Sequence, residues 1–210
     1  MYGNAARCYP GEVRARIIFK LINISIMKKL TITLSFFLIA IVSFSQERYF
    51  TKSGKISFYS STPMENIEAI NKNAVSVFDK TTGQIEVSTL MKGFEFPKAL
   101  MQEHFNENYV ESDKFPKAVF KGKINDISGI DFTKSGQYST TVTGKLSLHG
   151  ETKDITAPIT FNVGQGSISA TAEFKVLPPD FKISIPDLVR EKIAKEIKIN
   201  VTAGYEILKN

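Results

Sequence analysis

"QYSTTVTGKLSLHGETKDITAPITFNV", residues 137–163, alternates polar and apolar for most of its length. Tyr138, Thr140, Val142, Gly144, Leu146 and Leu148 fall on one face, and Gln137, Ser139, Thr141, Thr143, Lys145 and Ser147 on the other. Period two is the mark of a half-buried strand. The pattern restarts after "HGETKD" with Ile155, Ala157, Ile159, Phe161 and Val163 on the apolar face. A turn at "GQG" leads into Ile168, Ala170, Ala172, Phe174 and Val176. The last alternation runs through Ile197, Ile199, Val201, Ala203, Tyr205 and Ile207.

Toward the N-terminus the rhythm is rougher. "KISFYSS" offers Ile56 and Phe58, a strand over 67–78 enters the turn "DKTTG", "QIEVSTLMKGF" returns, and "AVFKGKI" gives Ala118, Phe120, Gly122 and Ile124. About eight strands joined by Gly, Asn and Asp turns predict consecutive antiparallel pairing. Two segments break the period. "FPKALMQEHFNENY" places Leu100, Met101, His104 and Phe105 at helical spacing after Pro97, and "IPDLVREKIAKEI" does the same with Leu188, Val189, Lys192 and Ile193 after Pro186. Both predict short amphipathic helices.

Strands with one apolar face must cover it. A closed barrel does so without leaving edges, and a two-sheet sandwich is the alternative. The small residues Ala118, Gly122, Gly144, Ala157, Ala170, Ala172 and Ala203 on the inward face favour a barrel. Eight strands leave room for a side-chain core or one small ligand. Small side chains could leave that room free, or let large neighbours pack closely. The expectation is an all-β, eight-stranded antiparallel, lipocalin-like barrel with two short helices.

Charge excludes one class of partner. The net charge is +6, but the segment before Gln46 holds six Lys and Arg against the single acid Glu12. That segment carries +5 and the remainder +1, so the basic balance gives no support to nucleic-acid binding. "MKKLTITLSFFLIAIVSFSQ", from Met27, reads as a signal peptide: Lys28 and Lys29, an apolar run over 30–42, then small Ser43 and Ser45. The run is shorter than the ~18 residues of a membrane span. The division is therefore an upstream extension or misassigned start at 1–26, a signal peptide at 27–45, and one domain at 46–210. The sole cysteine, Cys8, precedes the signal, so the exported part has no disulfide and depends on a hydrophobic core.

"HFNENYVESDKFPKAVFKG", "TGKLSLHGETKDITAPITF" and "DFKISIP" together resemble the YceI-like family of lipid- or polyisoprenoid-binding proteins. Phe115, Pro116, Ala118 and Phe120 match one part of its pattern, and Gly144, Leu146, Gly150, Thr152 and Lys153 another. The resemblance spans 49–208. It implies an exported, periplasmic or secreted protein whose barrel holds an isoprenoid-type or other long-chain lipid. Many members carry histidines near the first strand. This chain keeps Tyr49 and Ser53 there but not the histidines, so any head-group role of theirs does not carry over.

Candidate ligand-lining residues, from strand parity, are Phe120, Val142, Leu146, Ile159, Phe161, Ala172, Phe174, Ile199 and Val201. No catalytic residue, metal site or cofactor is expected. Two histidines and no cysteine in the domain fall short of about three converging ligands, and no G-x-S-x-G motif is present. His104 is expected to pack and hydrogen-bond where its helix meets the barrel, and His149 to sit at a hairpin turn in solvent or in turn hydrogen bonds. Lys182, Arg190, Lys192 and Lys195 are either a solvated face or partners for an anionic head group. A homodimer is compatible with all of this. A lipid-modifying enzyme in the same barrel and a ligand-free structural or interaction module are the alternatives.

The mature chain is predicted to begin at or near Gln46. N-terminal sequencing of exported protein checks this, and a chain that keeps residues 27–42 would instead be anchored.

Overall fold

The computed structural model describes residues 47–207; the signal peptide expected at 27–45 and the upstream extension expected at 1–26 lie outside the described residues. Eight strands follow the predicted alternations: β1 (Arg48–Ser61), β2 (Asn66–Asp79), β3 (Gln84–Leu90), β4 (Lys117–Ile124), β5 (Gly136–Leu148), β6 (Glu151–Val163), β7 (Ile168–Val176) and β8 (Ile197–Ile207). Each pairs antiparallel with the next, and β8 returns to β1. That closure excludes the sandwich.

The rough alternation of β1 and β2 has a definite cause. Thr51 pairs with Ser76, Gly54 with Ala74 and Ile56 with Asn71. An extra residue in β1 before Gly54 is followed by an extra residue in β2 beyond Ala74. Each bulge switches the face of its own strand. The inward set of β1 changes from Tyr49 and Thr51 to Gly54, Ile56 and Ser60. In β2 it changes from Phe78, Ser76 and Ala74 to Asn71 and Ala69. Asn71 is buried at the switch. Its Nδ2 donates to the Leu90 carbonyl at 2.9 Å, and its Oδ1 accepts from the Asn73 amide at 2.8 Å.

The two ends of the barrel are filled differently. Where β1 begins and β2 ends, Phe78 sits fully buried at the centre of an aromatic cluster. Its ring lies 5.0 Å from Tyr49, 5.7 Å from Phe132, 5.5 Å from Phe161 and 4.7 Å from Tyr205. The β4–β5 connection closes this end with Ile127, Ile130 and Phe132. Tyr205 is buried there with its hydroxyl 2.8 Å from that of Ser76, and burial pushes its phenol up to about 12.

The opposite end is covered by two connections. Between β3 and β4 the chain forms α1 (Ala99–His104), which runs into a π turn at Phe105–Tyr109. Between β7 and β8 it makes two 3-10 turns, Pro178–Phe181 and Asp187–Lys192. The second segment is thus a short helix, as expected, but it winds as a 3-10 helix and not at the α-helical spacing read from its apolar residues. At three residues per turn Val189 and Lys192 share a row and Leu188 falls off it; Leu188 is 96% exposed.

His149 ties these connections together. It and Gly150 form the two-residue β5–β6 turn, with φ of 51° and 79°, as a type I′ hairpin requires. The turn is where it was expected, but the ring does not face solvent, nor does it bond within the turn. Its Nδ1 donates to the Phe181 carbonyl at 2.8 Å, its Nε2 lies 2.9 Å from a Glu111 carboxylate oxygen, and Phe115 packs edge-on at 4.7 Å. From this hairpin the one side chain reaches both covering segments, and those contacts draw the ring out of water.

His149→Asn keeps a residue that tolerates positive φ and loses both ring bonds. It is expected to cost about 1–3 kcal/mol, measured by urea unfolding. Tyr205 adds a pH effect. Its folded pKa lies above the ordinary 10.0, so the unfolded chain gives up the proton first. Stability therefore falls as pH rises from about 10 to about 12, by roughly 1.4 kcal/mol at pH 11. Unfolding at pH 8 and pH 11 should show a smaller alkaline loss in Tyr205→Phe than in the parent protein.

Candidate functional site

Strand parity brings a continuous apolar surface inside the barrel, and in the half away from Phe78 that surface is not filled. A cavity of about 570 Å³ lies there. Phe58, Val87, Phe120, Phe174, Ile199 and Val201 point inward yet remain partly accessible, because they face this space and not a packed core.

Seven of the nine residues expected to line a ligand do line the cavity: Phe120, Val142, Leu146, Ala172, Phe174, Ile199 and Val201. Ile159 and Phe161 do not. They are 4% and 0% exposed within the packed end. Parity fixes the face of a residue but not its depth. β6 runs from the open end at Glu151 to the packed end at Val163, and its cavity residues are Ile155 and Ala157.

The small residues divide in the same way. Ala118, Ala157 and Ala172 line the cavity, while Ala170 and Ala203 pack in the closed end. Gly122 and Gly144 face each other across β4 and β5 and make no free volume. A Cβ on Gly144 would stand 2.4 Å from Gly122 Cα and 2.8 Å from Phe120 Cζ. The Phe120 ring lies over the bare backbone of the pair, the arrangement by which an aromatic covers strand glycines.

The connections supply a second set of walls that strand parity does not reveal. Phe94, Phe96 and Phe105 gather around Phe58 with ring centroids 5.4–5.6 Å from it. Met101, Tyr109, Ile183 and Ile185 add to the cover. The signal in the sequence is the run of aromatics in "GFEFPKALMQEHF", rich for a connecting segment. Tyr109, at this wall, has its phenol pushed up by burial.

Polar groups collect at the mouth. Lys98 and Glu65 pair at 3.4 Å. His104 and Lys192 also border the cavity, and both are exposed. Neither side chain is hydrogen-bonded or ion-paired to another described residue, so His104 does not have the packed, hydrogen-bonded role expected of it. α1 lies across an open mouth and not on a filled barrel, and this leaves its apolar side short of contacts: Leu100 is 61% exposed. Of the other candidate cations, Lys182 pairs with Glu151 and Arg190 with Asp187, and Lys195 stands clear of the cavity wall. Among the described residues no three His, Cys, Asp or Glu side chains converge as a metal site would need.

The comparisons agree on the architecture. A polyisoprenoid-binding domain from Saccharophagus degradans implicated in plant cell wall breakdown superposes with a TM-score of 0.67 at 12% identity, over 78% of this chain and all of that one. Burkholderia cenocepacia BcnA gives 0.61 at 17% identity, over 73% and 96%. The Campylobacter jejuni YceI protein gives 0.50 at 18%, over 66% and 81%. No curated protein matches. The family model for the YceI-like domain matches residues 42–204, nearly all of the barrel, and the chain belongs to the YceI-like family.

Proposed function

We propose that this protein is an exported, non-catalytic carrier that holds an apolar chain-like lipid, a polyisoprenoid being the leading class, inside its barrel. The observation that carries the reading is a 570 Å³ cavity walled by Phe, Ile, Val and Leu with its charged groups confined to the mouth. That size lies within the roughly 300–1,000 Å³ of small-molecule sites. Affinity then comes from burying methylenes, each worth about 0.8 kcal/mol before ordering costs. The ligand named for the Saccharophagus degradans domain supports the isoprenoid class. The leader at 27–45 supports export. A catalytic reading lacks a specific observation in its favour: His104 has no carboxylate to orient it among the described residues, which a His general base of the triad type uses. A packed interaction module would not keep this space open.

Native mass spectrometry of freshly purified protein is expected to show a retained lipid and to weigh it. Ala172→Phe fills the cavity wall without burying a charge. It should stay folded, with an overpacking cost of about 1–3 kcal/mol, and lose the lipid. Lys175→Phe, exposed on the outer face of the same strand and paired to Glu196, should keep it. Loss in the control together with retention in Ala172→Phe would place the ligand outside the barrel.

A further inference from the structure

The cavity has a floor. Ile85, Val142 and Ala157 belong both to its lining and to the packed cluster below. Beneath them Phe78, Phe132 and Phe161 pack against one another tilted or edge-on, with ring centroids 5.5–5.8 Å apart. Phe78 and Phe161 have no exposed surface. An entering chain stops there, because going deeper would mean displacing rings buried to native density.

The mouth fixes the orientation of the chain. Glu65, Lys98, His104 and Lys192 stand at that end and no charged residue lines the floor. A polar head group therefore stays at the mouth, since burying it unpaired at the floor is costly. The tail goes in first.

The volume fixes the length. A dry cavity of about 150 Å³ takes one benzene, or about 25 Å³ per carbon. At that density the 570 Å³ here takes about twenty carbons. We propose that the floor formed by Ile85, Val142 and Ala157 acts as a chain-length ruler. The cavity takes a single-chain amphiphile of up to about twenty carbons, tail first, and longer chains leave their excess in water. This rests on the carrier reading above and adds a ligand class to it: a short prenyl or long acyl chain, not a longer polyisoprenoid tail enclosed whole.

The test uses delipidated full-length mature protein loaded with a fluorescent apolar probe. Straight-chain carboxylates of about twelve to about twenty-six carbons, delivered from cyclodextrin, displace it. Carboxylates suit the mouth, where Lys192 is unpaired among the described residues. Affinity should rise about fourfold per methylene and then level off near twenty carbons. Ala157→Leu raises the floor and should move the break about three carbons shorter; Val142→Ala lowers it and should move the break about two carbons longer. Affinity that climbs without a break to the longest chain would overturn the ruler and leave the carrier reading standing. So would a break that stays put in both variants, provided both melt cooperatively. Failure of every chain to displace the probe would overturn both readings together.

Discussion

The pairing of β1 with β8 is the contact on which the molecule depends. Until Ile56 meets Val201 and Phe58 meets Ile199, eight amphipathic strands have an apolar face but no interior. Closure gives all eight faces one axis and removes both sheet edges. It also constrains β1, which must serve two neighbours and keep apolar residues inward along fourteen positions. The paired bulges satisfy that constraint. Without them the parity of Tyr49 and Thr51 would carry Lys55 into the barrel. With them, Ile56 and Phe58 face inward and Lys55 faces water.

Space and packing are divided between the two ends. At one end four aromatic rings pack around Phe78, and this is where a disulfide-free domain of this size finds its core. At the other end the same kind of apolar face looks onto open space, so its side chains go without dispersion partners on one side. The walls there need something to cover them. The two connections do so only in part, with Phe94, Phe96 and Phe105 against Phe58 on one side and Ile183 and Ile185 on the other.

Much of this was legible in the sequence, for a simple reason. Alternation is a local signal, and in an antiparallel meander with short turns local order is spatial order. Val142, Leu146, Ala172, Phe174, Ile199 and Val201 were therefore placed on the right face. Depth is not local. Ile159 and Phe161 share the parity of Ala157, yet only their distance from the hairpin at His149 puts them in the packed end. The covering segments were harder still, because their partners are remote in sequence: Phe58 with Phe105, His149 with Glu111. The 3-10 winding of Asp187–Lys192 shows the same limit. Leu188 and Val189 read as one apolar side at the α-helical period and separate at the tighter one.

Stability and access consequently sit at opposite ends of the barrel. α1 has six residues, no side-chain hydrogen bond at its N-cap and no buried residue, so its own helical propensity contributes little. Its place over the mouth depends on the π turn at its C-terminal end. That turn delivers the chain to Glu111, and Glu111 meets His149. The other covering segment reaches the same ring through the carbonyl of Phe181. Glu111, His149 and Lys182 are the three non-glycine residues with positive φ among those described, and all lie at this junction. Such backbone persists only where surrounding contacts over-determine it. One imidazole thus holds both covers to one hairpin, and a change at that ring acts on the whole mouth while the aromatic core below keeps its packing.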